Sequence, residues 1–265
     1  MTANYDKLTA GDNRYVEQYR KDGYVVIPDV LDSALVAEMK QHVEWLSVKY
    51  PNRRETNDHH LVQHDPFWLR LVSDSRLLAI AESFIGPDIA LFASSYFTKK
   101  PYEGEAVLWH QDGVYWPLEP MEVVTLWLAV DDSTPDNGCL RVIPGTHKMD
   151  LKEWHVNKEV PNPLESEIDL KYVDESKAVD VVLRAGSVSI HHPNIIHGSK
   201  PNRSPHRRCG LTIRYIPAST RIVQQPWACQ FLLQGHAEEG VNQYMPFPKY
   251  VDGESMPFRG KEDWQ

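Results

Sequence analysis

The sequence predicts a mainly β domain, a barrel or sandwich of short strands, preceded by helices. Helical periodicity is confined to the first third of the chain, and from Ile89 onward short β-like runs alternate with turn residues. No internal repeat, low-complexity tract or Gly/Ser linker divides the 265 residues, a length that fits one large domain or at a stretch two small ones.

Residues 13–22 read as a short helix that Gly23 stops ahead of the strand-like Tyr24-Val25-Val26-Ile27-Pro28. From 33 to 49, Leu35, Val36, Met39, Val43 and Leu46 recur at helical spacing, with Asp32 or Ser33 as the cap. A further helix runs from about Ser75 to Phe84 and ends at Gly86-Pro87. The β-like runs are Ile89 to Phe97, Ala106 to Gln111, Val123 to Val130, Cys139 to Ile143, Val179 to Leu183, Val188 to His192, Ile195 to His197 and Arg208 to Ile216. Pro135-Asp136-Asn137-Gly138, Pro144-Gly145, Ala185-Gly186 and Pro201-Asn202 are the turn signals between them. Many short strands at fairly regular spacing favour a barrel or sandwich over a parallel α/β sheet. The polar segment 146–176 is the one long irregular insertion, either a lid or a variable surface loop.

Hydrophobic content of 42% and charged content of 25% are those of a globular protein rather than a disordered or membrane one. A net charge of -9 argues against a nucleic-acid partner, which needs concentrated Lys and Arg. Arg53-Arg54 and the stretch Arg203 to Arg208 are too short to overturn that, and the first pair reads as a solvated loop. Cys139, Cys209 and Cys229 are an odd, sparse set without metal-type spacing, so no disulfide framework is expected. The N-terminal MTANYDKLTAGDN has neither a basic n-region nor an apolar h-region, so no signal peptide is read there. The longest apolar run, Val123 to Val130, is far too short to span a bilayer. The default setting is reducing, soluble and cytoplasmic, with no membrane partner.

The chemistry-bearing pattern is Trp109-His110-Gln111-Asp112, followed by His197 and then Arg208. Two imidazoles and one carboxylate can hold one face of a ferrous ion and leave the opposite positions for a chelating cosubstrate and oxygen. An arginine after the second histidine can grip the cosubstrate's far carboxylate in a fork geometry that lysine cannot match. His-x-Asp alone is a weak signal, because a chain with twelve histidines supplies about one such triplet by chance. On a strand, His110 and Asp112 point together into a barrel mouth; the bland reading is a polar strand end. Ile195, His197 and Ser199 share a face, where the histidine is either a ligand or a buried core residue. Arg208, Gly210, Thr212 and Arg214 share one face of the next strand, and Leu211, Ile213 and Tyr215 the other. Two arginines on one face are expensive to bury without anionic partners, unless that face is the solvent's. His191 and His192 are rival ligands, ranked lower because Pro193 follows directly and the arginine after them, Arg203, lies in a turn. His59, His60 and His64 lack a firm spacing and read as surface residues.

Taken together, WHQDGVYWPL, DNGCLRVIPGTHK and HGS followed by Arg208 resemble the phytanoyl-CoA dioxygenase family of iron(II)/2-oxoglutarate-dependent oxygenases. The resemblance runs from the Gly23-Tyr24 strand and the Gly86-Pro87 turn to about Tyr215. It implies a double-stranded β-helix, a cupin-like jelly-roll barrel, within one domain over 1–265. Residues 1–87 would form a helical buttress, 88–216 the barrel core and 217–265 a C-terminal extension. It implies His110, Asp112 and His197 as ligands of Fe(II), with 2-oxoglutarate and O2 as cosubstrates. Arg208 would hold the 2-oxoglutarate C5 carboxylate with Ser199 as its hydroxyl neighbour, and Tyr96, Gln111 and Trp127 would make further cosubstrate contacts. Asp112 stands where halogenating relatives carry a small residue, which favours hydroxylation of an unactivated C–H bond with release of succinate and CO2.

The substrate is expected to be a small molecule, and the protein a monomer or homodimer. Tyr115 and Trp116 are candidates for a pocket wall, against a reading as barrel-end packing. Lys99, Arg141 and Arg214 are candidate anchors, Lys99 against a reading as a solvated side chain. The family acts on acyl-CoA thioesters, small zwitterions, aminophosphonates and secondary metabolites, and nothing in this sequence marks a CoA site. Two further readings stay open, a cupin-like metal enzyme that does not use 2-oxoglutarate and a non-catalytic small-molecule binding barrel.

Overall fold

The structure is a computed structural model that describes residues 13–51, 59–227 and 229–265; Arg53-Arg54 and the first twelve residues lie outside the described residues. The chain opens with α1 (Asn13–Asp22), β1 (Tyr24–Ile27), α2 (Ser33–Lys49), α3 (Pro66–Val72) and α4 (Ser75–Ile85). Then come β2 (Ile89–Lys99), β3 (Val107–His110), β4 (Leu118–Glu119), β5 (Val124–Ala129), β6 (Leu140–Val142), β7 (Trp154–Val156) and β8 (Ser166–Ile168). The chain finishes with β9 (Val179–Val181), β10 (Val188–His191), β11 (His197–Ser199), β12 (Arg208–Pro217), β13 (Arg221–Ile222) and β14 (Phe231–Gln234).

Local chemistry accounts for the helices. The Asp32 carboxylate accepts the Leu35 N–H at 2.9 Å and so caps α2, while Asp65 and Asp74 cap α3 and α4 in the same way. The sequence shows no sign of α3, because Pro66, Phe67, Trp68, Leu69, Leu71 and Val72 are all buried and Arg70 alone makes no polar stripe to mark a helical period. His60 and His64 sit exposed on a short 3-10 turn.

The strands form a six-stranded sheet, β1-β10-β5-β12-β2-β14, and a four-stranded sheet, β3-β11-β6-β9, with two small ribbons, β13-β4 and β7-β8. The protein is thus mainly β with N-terminal helices, but the two ladders stay separate and close no barrel. Leu211, Ile213 and Tyr215 of β12 pack with Leu35, Met39 and Leu46 of α2 in the helix-side core. Between the sheets, Trp127 and Ala129 of β5 meet Val142 of β6, Val181 of β9 and Ile195. The six-stranded sheet therefore has one face toward the helices and one toward its partner sheet.

Three features depart from the expected layout. The residues before 88 are not only helical, because β1 pairs with β10 at one sheet edge. The segment after 216 is not only an extension, because β14 pairs with β2 at the other edge. Within 146–176 lies the β7–β8 ribbon, whose Ile168 is buried with Trp109, Ile143 and Ile196. Cys139, Cys209 and Cys229 are free and buried. Among the described residues no helix is long and apolar enough to cross a membrane.

Candidate metal centre

β3 ends at His110, β11 begins at His197, and the antiparallel register sets these histidines directly opposite each other. Their ring centroids are 4.0 Å apart. The run expected over Ile195 to His197 is displaced because the Pro193-Asn194 turn closes with Ile195 N–H donating to the His192 carbonyl at 3.0 Å. Asp112 arrives by a different route from the one strand phase predicts. The strand stops at His110, and Asp112 opens a short 3-10 turn over Asp112–Tyr115, pinned where Gly113 N–H donates to the Pro193 carbonyl at 2.9 Å.

The three side chains are buried, and one ligand atom from each lies within 4.8 Å of the others. His110 Nε2 is 3.5 Å and His197 Nε2 3.9 Å from Asp112 Oδ1. Each imidazole bonds a backbone carbonyl through Nδ1, His110 that of Leu108 at 2.8 Å and His197 that of Ile195 at 3.0 Å. A carbonyl only accepts, so Nδ1 carries the proton and the Nε2 lone pair faces the carboxylate. Burial and the neighbouring His110 hold His197 well below the usual imidazole range, which keeps it a neutral donor. Burial pushes the Asp112 carboxyl up, but the adjoining His110 and His191 rings and the Arg214 charge outweigh it and leave it well below the usual carboxylate range. Two neutral imidazole nitrogens and one ionised carboxylate fit a divalent transition metal with an open face.

This group borders a cavity of about 290 Å³ between the sheets, near the lower end of small-molecule sites. Arg208 and Arg214 both face it from β12. Arg208 is fully buried, lies over the Trp127 ring with 5.4 Å to the centroid and makes one long bond to the Phe97 carbonyl at 3.4 Å. Its Nε has no partner, and among the described residues it forms no ion pair. Burial brings its guanidinium down to about 10. Ser199 and Trp127 line the same cavity. So do Tyr115, whose hydroxyl bonds Ser166, and Trp116, whose ring is 5.1 Å from the Arg214 guanidinium carbon.

Four expected site residues are placed elsewhere. Tyr96 is paired with Leu211 and therefore lies on the helix side of β2, its hydroxyl 2.8 Å from His42 Nδ1. The cavity side belongs to its neighbour Phe97, opposite Gly210. Gln111 is consumed by backbone: its Nε2 donates to the Asn194 carbonyl at 2.7 Å and its Oε1 accepts from Lys152 N–H at 2.8 Å. It thus ties the metal turn to the β11 approach and the 146–176 segment. Arg141 faces away from the cavity, paired with Asp180 at 3.2 Å and Glu175 at 3.6 Å. Lys99 lines an adjoining hollow shared with Arg208, where its Nζ donates to the Lys200 carbonyl at 2.6 Å.

The structure adds residues that the sequence did not single out for the pocket. His191, the lower-ranked rival, lines the cavity with Nε2 3.7 Å from Asp112 Oδ2. A register shift at Arg214/Tyr215 brings both Phe92 and Ala93 against the cavity, and Trp227 stacks on Phe92 at 4.8 Å. Bulges and long-range stacking leave no periodic mark in a sequence, so neither was readable there.

A family model described as phytanoyl-CoA dioxygenase (PhyH) matches residues 19–210. The L-proline trans-4-hydroxylase of Streptomyces griseoviridis is 27% identical over 224 residues, which span 75% of this chain and 84% of that protein. The peroxisomal phytanoyl-CoA dioxygenase of Homo sapiens is 28% identical over 206 residues, 76% of this chain but 57% of that protein. Among solved structures, the non-heme monooxygenase ThoJ in its apo form superposes with a TM-score of 0.75 at 26% identity, covering 90% of this chain and 88% of that one.

Proposed function

Because the chain belongs to the phytanoyl-CoA dioxygenase family, we propose that it is an iron(II)- and 2-oxoglutarate-dependent oxygenase. In this reading it hydroxylates an unactivated C–H bond of a small molecule, with succinate and CO2 as coproducts. The two sheets around the cavity are then the walls of an open double-stranded β-helix.

The observation that carries the reading is the meeting of two things in one cavity, a three-donor group with an open face and the buried guanidinium of Arg208. A buried cation without a counter-charge is costly, and a bound carboxylate offsets that cost. A cupin-like enzyme without the cosubstrate, or a binding barrel without turnover, leaves this charge without a purpose.

His110, Asp112 and His197 would hold the iron, which supplies oxygen activation coupled to oxidative decarboxylation of the cosubstrate. Arg208 would donate to the distal carboxylate, with the Trp127 ring against its face to fix the fork and the Ser199 hydroxyl as a second donor. Trp116 and Phe92 would keep water from the reacting carbon, and the small cavity would admit a substrate of amino-acid size. The Streptomyces relative, named for hydroxylating proline, works at that scale.

Anaerobic titration tests the reading. Fe(II) and 2-oxoglutarate together should give the weak visible metal-to-ligand band. Arg208→Ala should weaken 2-oxoglutarate binding by about thirtyfold or more, the effect of losing one partner of a buried charge pair. Absence of the band, or unchanged affinity in the variant, would sink it.

A further inference from the structure

Resting on the iron/2-oxoglutarate reading above, we propose that the substrate is a small carboxylic acid, bound through its carboxylate to Arg214 with its body between Trp116, Phe92 and Trp227. Three charged side chains line the cavity, Asp112, Arg208 and Arg214. A divalent ion and a dianionic cosubstrate cancel each other, and Asp112 cancels one arginine. One positive charge then remains at a buried arginine in a mostly apolar cavity, and an anionic substrate would offset it.

Geometry places that charge at Arg214. The Cα atoms of Arg208 and Arg214 are about 20 Å apart along one face of β12, so one distal carboxylate does not serve both. Arg214 is 5% exposed, and its Nε has no partner. Its contacts are long, 3.4 Å from Nη1 to Thr212 Oγ1 and 3.9 Å from Nη2 to Asp112 Oδ2. His191 Nε2 already stands nearer to that same Asp112 oxygen, at 3.7 Å. The guanidinium carbon stands 5.1 Å from the centre of the Trp116 ring, and of its edge donors Nε is unpartnered while the two Nη groups hold only the long contacts to Thr212 and Asp112. A buried guanidinium beside an aromatic ring, with an unpartnered Nε and weakly held Nη donors, is suited to receive a planar carboxylate in two parallel bonds.

The remaining wall at this end is apolar. Phe92 and Trp227 stack in parallel, 4.8 Å apart and 9° from coplanar, and the Trp227 Nε1–H is spent on the Phe92 carbonyl at 2.7 Å. The wall therefore offers surface without donors, which suits a compact hydrocarbon or ring. Asp112 lies beside the same guanidinium, so a carboxylate anchored there holds the adjoining carbons next to the metal group.

The test uses the anaerobic Fe(II)/2-oxoglutarate complex and matched probes: benzoate, phenylacetate and L-proline, each against its primary amide. At least one acid should perturb the visible band, at a concentration about thirtyfold or more below that of its amide. Arg214→Gln should abolish that response while leaving 2-oxoglutarate affinity within about twofold. Amides matching their acids, or no acid acting up to about 10 mM, overturns the proposal. So does loss of the band itself in Arg214→Gln, which would make the arginine a support of Asp112 instead. The comparison of acid with amide in the unaltered protein decides the matter even where the variant fails to fold. A missing band in the unaltered protein would instead strike the iron/2-oxoglutarate reading.

Discussion

Lys99 and Arg208 stand opposite each other across the β2–β12 ladder, two basic groups in a poorly solvated corner. Burial and the adjacent Arg208 bring the Lys99 ammonium down to about 6. The unfolded chain carries this group near its ordinary 10.5. Between those pH values the unfolded state therefore binds a proton that the folded state does not, and stability rises with pH across the window. Lys99→Met removes the group and the slope with it. The variant should melt higher than the parent at pH 7, with a gain that shrinks toward pH 10. Thermal unfolding at several pH values checks this, and a gain that grew with pH would refute the assignment. The lysine read from sequence as a substrate anchor is, on this account, a neutral amine at pH 7 that caps a carbonyl beside the cosubstrate corner.

β12 shows how one strand writes two environments by simple alternation. Gly210 occupies its cavity face between Arg208 and Thr212, and a Cβ there would stand 2.0 Å from Trp127 Cζ2. An indole wedged between sheets has little room to yield, so Gly210→Ala should cost about 1–3 kcal/mol in urea unfolding. It should also weaken 2-oxoglutarate binding by moving Trp127 off Arg208; a variant with native stability and affinity would count against that packing. The same alternation explains what was legible. The faces of β12 and the cap of α2 follow from local period and residue type, whereas the opposition of His110 and His197 is set by the long-range pairing of β3 with β11. Asp112 joins the two histidines by a route that strand phase does not report, since a 3-10 turn delivers it. Tyr96, named from the family resemblance, stands one step off the cavity face, because the β2 register depends on its pairing with β12 and no local pattern reports that. Gln111 and Arg141 look like ligands in sequence because polarity does not say which partner consumes it.

The family match ends at residue 210, inside β12, yet the fold does not end there. β14 closes one edge of the six-stranded sheet, and Phe231, Tyr250, Met256 and Phe258 enter the same core as α2 and α3. Tyr250 N–H donates to the Trp264 carbonyl at 2.6 Å, which folds the last residues back on this layer. β1 supplies the opposite edge, so an early strand and a late one complete the same sheet. Four buried side chains of this kind contribute about 1.5–3 kcal/mol each. Their sum is comparable to the whole margin of about 5–15 kcal/mol that keeps a domain folded. A chain ending after Trp227 keeps every metal donor and both cavity arginines. It should nonetheless lose its cooperative thermal transition and near-UV circular dichroism, and with them Fe(II) binding. If it melted cooperatively near the parent temperature, the C-terminal segment would be an appendage. The structure argues otherwise, because the strand that carries Arg208 and Arg214 pairs with β2, and β2 is the strand that β14 covers.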